Sequence, residues 1–201
     1  MLKNIVFDLG GVVVMHNEEG FREYLGDFFS FVFGATMEGV PQFWLDFDNG
    51  HLTLEETAVE VAKFRNCEVS TAKANIERAI ELQEEVEPTI ALIKELKERG
   101  YKLYVLSNMS KEYIDYLRQL PVFDCFDAQV VSCEVGIGKP QSEIYEYLLS
   151  QNNLNPSETI FIDDRIDNVE AAAAHGIVPF HFDRRNPERA CNELRKVIYE
   201  K

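Results

Sequence analysis

A chain of 201 residues is the size of one medium domain, or of a core domain carrying a smaller insert. Its 46% hydrophobic and 27% charged residues are ordinary for a globular protein and exclude a disordered, collagen-like or coiled-coil chain. With 20 basic against 35 acidic side chains the formal net charge is −15, which repels nucleic-acid phosphates and provides no basic footprint for DNA, RNA or a membrane surface.

The elements are predicted in chain order. A short β-branched and aromatic run at 3–7 reads as a strand, ended by Asp8 and the Gly10-Gly11 turn signal. Asp8 also interrupts the apolar stretch 5–15, so that stretch does not read as a secretory signal, and no run approaches the ~18 apolar residues of a spanning helix. From 17 to 85 the pattern turns helical. Phe21, Leu25, Phe28 and Phe29 recur at helical spacing; Thr53 or Thr57 precedes a run with Val59, Val61 and Phe64; Ser70 opens another helix with Ile76, Ala79 and Ile80 on one face. Breaks fall at 34–41 and at Asn49-Gly50.

From 86 onward helix and strand alternate. Pro88 starts a helix with Ile90, Ile93 and Leu96, stopped by Gly100. Strands follow at 102–106, 128–131, 159–162 and 177–182, separated by helices at 111–120, from Pro140 through Leu149, and at 168–175; a last helix begins at Pro187. Such alternation predicts a parallel sheet covered on both faces. The expected architecture is therefore α/β: a Rossmann-like parallel-sheet core of residues 1–16 and 86–201, with a small all-helical cap of residues 17–85 inserted after the first strand. Cys67, Cys125, Cys133 and Cys191 form no C-x-x-C pair, which suits reduced thiols and a cytoplasmic location.

In open parallel sheets, ligands bind outside the carboxyl ends of the strands. The first strand delivers Asp8, the second Ser107 and Asn108, the loop after the third Lys139, and the fourth Asp163 and Asp164. Taken singly, each has an ordinary explanation: Asp8 and Ser107 suit turns or helix caps, Asp163 and Asp164 favour a following helix N-terminus, and Lys139 suits a solvated loop. The loop 136–140 is not a Walker loop, because Cys133 stands where the first Gly is needed and Pro140 replaces the Ser/Thr. On one rim, however, these carboxylates would repel unless a cation sat between them, and oxygen ligands of this kind suit Mg²⁺ together with a substrate phosphate. A carboxylate can attack phosphorus to form an aspartyl phosphate, with a lysine and a hydroxyl holding the phosphoryl oxygens.

The residues around Asp8 (7–12), Ser107-Asn108 (105–108), Lys139 (138–140) and Asp163-Asp164 (161–168) resemble, in order, the four motifs of the haloacid dehalogenase-like hydrolase superfamily. The likeness runs through the whole chain and is strongest to a capped subgroup containing sugar-1-phosphate phosphatases and the phosphatase domain of soluble epoxide hydrolases. The resemblance implies that Asp8 is the nucleophile and a Mg²⁺ ligand, joined by the carbonyl of Gly10, by Asp164, and by Asp163 directly or through water. It implies that Ser107 and Asn108 bind the phosphoryl group, that Lys139 binds substrate and stabilises Asp8 and the developing charge, that Asp167 orients the others, and that the cap covers the site. The expected substrate is a small phosphorylated metabolite, a sugar phosphate and among these a sugar-1-phosphate.

One departure from the pattern matters. Phosphatases of the superfamily mostly carry a second Asp two residues after the nucleophile, where this chain has Gly10. A general acid/base is typically worth ~10²–10⁴ in rate. The candidates to replace it are His16, Glu18 and Glu19, unless the leaving group needs little protonation. Gly10 also reads as a turn residue needing unusual backbone angles. The alternatives are a 2-haloacid dehalogenase, whose fourth motif lacks the acidic pair, and a catalytically weak binding protein of the same fold. Phe28, Phe29, Phe31 and Phe33 are expected to form the cap core, Trp44 to lie there or in the pocket, and His175 and His181 to be structural.

Overall fold

The computed structural model describes residues 1–32, 36 and 38–200. Five parallel strands form the central sheet: β1 (Asn4–Phe7), β4 (Lys102–Ser107), β5 (Ala128–Val131), β6 (Thr159–Asp163) and β7 (Val178–His181), in the order β5-β4-β1-β6-β7. The register pairs Ile5 with Leu103 on one side and with Ile160 on the other. Side chains alternate between the two faces of a strand, and the core follows that alternation. Ile5, Phe7, Leu103, Val105, Ile160 and Ile162 enter one apolar cluster, whereas Val6, Tyr104, Leu106 and Phe161 enter another. The helices α5 (Glu87–Glu98) and α10 (Pro187–Glu200) cover the first face through Ile90, Ile93, Leu96, Leu194 and Ile198. The helices α8 (Ser142–Gln151) and α9 (Ile166–Ala174) cover the second through Ile144, Tyr145, Leu148 and Ala172. Burial on both faces explains why these strands read as continuous apolar runs.

Between β1 and β4 lie β2 (Val14–His16), α1 (Glu18–Tyr24), α2 (Gln42–Asp48), α3 (Leu54–Arg65), α4 (Val69–Glu81) and β3 (Gln83–Glu85). The four helices bury a cluster of their own, including Phe21, Phe29, Trp44, Phe47, Val61 and Ile76. A capping box, in which Thr53 accepts from the Glu56 N–H and Glu56 from the Thr53 N–H, starts α3.

Several details depart from the sequence-based expectation. Residues 17–85 are not helical throughout. They end in β3, which pairs antiparallel with β2, Val14 opposite Glu85 and His16 opposite Gln83. Three-residue strands are too short for a period-2 signal, and Gln83-Glu84-Glu85 has none of the residue types that favour strands. The first cap helix stops at Tyr24; Leu25 caps it and Gly26 turns left-handed at φ 54°, so Phe29 reaches the cluster from a turn rather than from the helix. Val59 and Phe64 are exposed on α3, although Phe64 packs its ring against Phe31 and Phe43. Helix α6 (Lys111–Leu117) ends one turn before Pro121, α8 starts two residues beyond Pro140, and a short helix α7 (Ser132–Val135) follows β5 directly. Phe33 and Gly34 lie outside the described residues. Among the described residues no helix is long and apolar enough to cross a membrane.

Candidate active site

Progress along the chain reverses at β1, which sits between β4 and β6, and the carboxyl ends of these three strands open on one crevice. Asp8 follows β1; its N–H still bonds the Ile162 carbonyl at 2.9 Å, and its Oδ1 accepts from the Leu9 N–H at 2.7 Å. The loop after it is tight, with the Leu9 carbonyl accepting from the N–H groups of Val12, Val13 and Val14.

Gly11, not Gly10, holds the unusual backbone angle: its φ is +79°, and a Cβ there would lie 2.8 Å from the Asp164 carboxyl carbon. A Cβ on Gly10 would meet nothing within 4 Å, because Gly10 faces open cavity. Gly11→Ala is therefore expected to cost about 1–3 kcal/mol in urea unfolding and to displace Asp164, whereas Gly10→Ala leaves stability within about 0.5 kcal/mol of wild type. Equal unfolding midpoints for the two variants would contradict this.

Lys139 is the electrostatic centre. Its Nζ lies 2.9 Å from Asp8 Oδ1 and 2.6 Å from Asp163 Oδ2, with only 1% of the side chain exposed. Burial opposes its charge, but the neighbouring Asp163 and Asp8 carboxylates outweigh burial and hold the ammonium above its ordinary range. Asn108 positions this lysine: its amide donates to the Lys139 carbonyl and accepts from the Lys139 N–H, both at 2.7 Å.

The two acids that end β6 differ. Asp163 is fully buried and does not line the cavity; it accepts from Lys139, from Asn168 Nδ2 at 3.0 Å and from the Arg165 N–H at 2.8 Å. Burial pushes its carboxyl up to about 6 against the pull of Lys139. Asp164 lines the cavity and pairs with Arg184 at 2.9 Å; burial and the Asp163 charge raise its carboxyl above the usual range. Ligand oxygens of Asp8, Asp163 and Asp164 all lie within 4.8 Å of one another. Three crowded carboxylates, two of them with raised pKa, carry more negative charge than Lys139 neutralises, and an all-oxygen donor set of this kind fits a hard divalent cation.

Ser107 is 1% exposed, and its hydroxyl has no hydrogen-bond partner among the described residues. A buried donor of this kind suits an anionic ligand. The cavity, about 660 Å³, is lined by Asp8, Gly10, Ser107, Asn108, Lys139 and Asp164 from the core, and by Phe21, Val32, Trp44 and Asp48 from the insert. Arg22, Arg165, Arg184 and Arg185 also line it, so guanidinium groups stand beside the acids of the site.

The three residues considered as substitutes for a carboxylate at Gly10 fall in different places. His16, on β2, lines the cavity; its Nδ1 meets Gln83 Nε2 at 2.5 Å and its ring packs on Phe21. Burial, and then the Arg184 charge, lower it to about 4, so it is neutral at ordinary pH. Glu18 lines the cavity from an exposed position, while Glu19 is exposed and outside the lining. Asn168, one residue beyond Asp167, makes the bond that fixes Asp163. Sequence reasoning passed over Asp48 on the insert. Its one visible signal is an acid at the C-terminal end of a helix, where the dipole disfavours it.

Comparison with known proteins places these features in a family. The family model for haloacid dehalogenase-like hydrolases matches residues 2–176. A sesquiterpene phosphatase of Aspergillus oryzae is 36% identical over 109 residues, covering 54% of this chain and 55% of that protein. The chain therefore spans about half the length of that relative, and smaller fractions of a drimenol cyclase (28%) and an acyl-CoA dehydrogenase family member (7%). A D-ribitol-5-phosphate phosphatase of Bacteroides thetaiotaomicron is 25% identical over 193 residues, covering 90% of this chain and 91% of that one. In fold, the chain is similar to a Bacteroides thetaiotaomicron enzyme solved with magnesium and inorganic phosphate, at a TM-score of 0.73 and 23% identity, over 92% of this chain and 95% of that one. The chain belongs to the haloacid dehalogenase-like hydrolase family.

Proposed function

We propose that the protein is a Mg²⁺-dependent phosphatase that hydrolyses a small phosphorylated metabolite, a sugar or polyol phosphate, through an aspartyl phosphate on Asp8. The observation that carries this reading is the Asp8–Lys139–Asp163 arrangement beside Asp164 and the unsatisfied Ser107 hydroxyl, the acids and the serine at the ends of adjacent parallel strands and the lysine reaching them from the loop before α8. The phosphatases among the relatives support it, and the solved neighbour with magnesium and phosphate supports the choice of metal. Asp8, Asp164 and the Gly10 carbonyl would hold the ion, which when bound supplies positive charge against the phosphoryl oxygens. Asp163 serves mainly to fix Lys139.

The chain's own residues account for the rest. The bonds from Leu9 and Lys139 to Asp8 Oδ1 fix the plane of the carboxylate, so attack on phosphorus starts from one orientation. As the Asp8–phosphorus bond forms, the bond to the leaving oxygen breaks. The Lys139 ammonium and the Ser107 hydroxyl would donate to the phosphoryl oxygens. Water then attacks the phosphorus, releasing phosphate and restoring Asp8. The volume of about 660 Å³ falls within the usual range for small-molecule sites.

The test is phosphate release over a panel of sugar, polyol and terpenyl phosphates, with Mg²⁺ and with EDTA, beside chloride release from 2-haloacids. The expected result is metal-dependent phosphate release that EDTA abolishes, with polyol or sugar phosphates preferred and no chloride released. Halide release without metal would overturn the reading in favour of a dehalogenase.

A further inference from the structure

Resting on the phosphatase reading, we propose that Asp48, the last residue of α2, is the acid/base of this site and supplies from the insert the carboxyl group that Gly10 lacks.

The end of α2 is seated on the catalytic rim by three separate contacts. The Ser132 hydroxyl donates to the Asp48 carbonyl while accepting from the Met109 N–H at 2.9 Å, and so ties α2 to the segment after β4. Asn49 packs so closely on Gly138 that a Cβ there would lie 2.5 Å from its Oδ1. Gly50, at φ +72°, lies against the main chain of Cys133. Gly138 directly precedes Lys139, so Asp48 is held in register with the lysine that bridges Asp8 and Asp163.

Asp48 lines the same cavity as Asp8 and Gly10. Among the described residues it has no lysine or arginine in an ion pair. The groups facing it are the Ser110 N–H, the Arg165 guanidinium at longer range, and Tyr113 and Cys133 from the packed helices. Arg165 is already engaged, donating to the carbonyls of Val32 and Thr36. Asp48 is half-buried at the cavity wall, and the desolvation of its carboxyl pushes it up to about 7, against Arg165 and the Ser110 N–H, which brings both protonation states within reach near neutrality. The other candidates serve less well: His16, lowered to about 4, carries no acidic proton to transfer near neutrality, and Glu18 is exposed to water.

The proton balance is complete. While Asp8 attacks phosphorus, the ester P–O bond breaks toward the leaving oxygen, which takes the Asp48 proton and departs as an alcohol. The Asp48 carboxylate then takes a proton from the water that attacks the aspartyl phosphate. The P–O bond to Asp8 breaks, phosphate leaves, and both carboxyl groups return to their starting states.

The experiment compares wild type, Asp48→Asn, Gly10→Asp and the double variant on an alkyl phosphate and on p-nitrophenyl phosphate, with folding checked by thermal melting. For Asp48→Asn, kcat/KM is expected to fall about 10²–10⁴-fold on the alkyl ester and less than about threefold on the aryl ester, whose leaving group needs no proton. Its kcat is expected to fall on both, because the second step still needs a base. The limb of the pH–rate profile near neutrality disappears, and Gly10→Asp restores at least tenfold of the lost alkyl activity. Equal losses of kcat/KM on both esters with no rescue would make Asp48 a positioning residue only and overturn the proposal, as would unchanged turnover. Failure of the phosphatase reading is separate: it appears as wild-type turnover no higher than that of Asp8→Asn.

Discussion

Lys139→Met is expected to lower kcat/KM about 10³-fold and, in EDTA at pH 8, to cost about 3–5 kcal/mol of stability. The ammonium touches two carboxylates whose side chains are 10% and 0% exposed, and Met fills the space without the charge. Two buried anions then face one another with Asn168 and main-chain N–H groups as their remaining donors. One of them relieves the repulsion by binding a proton. Asp163 is already pushed up to about 6 by burial, and losing Lys139 removes the main influence that lowers it. A carboxyl whose pKa is higher folded than unfolded binds more protons in the folded state, so its contribution to stability falls as pH rises through that interval. The destabilisation by Lys139→Met should therefore shrink from pH 8 toward pH 5. Urea titrations at the two pH values read this directly. A cost that is the same at both, or smaller than about 1 kcal/mol, would mean that the ammonium does not balance these carboxylates.

Asp8→Asn is expected to remove turnover by about 10⁴-fold or more while leaving the chain folded. The amide oxygen of Asn can still accept the Leu9 N–H, and Lys139 keeps Asp163, so no buried charge is left without a partner. Nucleophilicity is lost, because a neutral amide oxygen does not form a stable bond to phosphorus. Acid-quenched wild-type protein, sampled during turnover, should carry one phosphoryl group by mass on the peptide containing Asp8, and the variant should carry none. A phosphoryl group found elsewhere, or turnover preserved in the variant, would remove Asp8 from the chemistry.

Much of this arrangement was legible because parallel strands deliver their last residues to a common edge. Asp8, Ser107, Asp163 and Asp164 end, or directly follow, β1, β4 and β6, and those three strands are adjacent in the sheet. What stayed hidden depends on tertiary seating. No spacing rule indicates that Asn108 brackets the main chain of Lys139, 31 residues away, or that the end of α2 docks on Gly138 and Cys133. The difference between Asp163 and Asp164 is likewise a matter of which carboxyl faces the cavity, and adjacent identical letters carry no record of it. The strands β2 and β3 were missed for a local reason: three residues each, one of them wholly polar, give pattern analysis nothing to count. The glycine pair shows the same limit. Both residues suggest a turn, yet only Gly11 requires positive φ.

The central position of β1 has a consequence for how the chain assembles. Asn4–Phe7 precedes both of its neighbours in the sheet, Lys102–Ser107 and Thr159–Asp163, by long stretches of chain. Among the described residues between β1 and β4 none pairs with the edges of this apolar segment, so its pairing is a non-local contact of the kind that slows folding. On the ribosome, Ile5, Val6 and Phe7 emerge before β4 is synthesised and would lack their sheet partners throughout that interval. Chaperone dependence and losses to inclusion bodies should therefore respond to changes in the speed of translation between residues 8 and 101 more than to changes after residue 163.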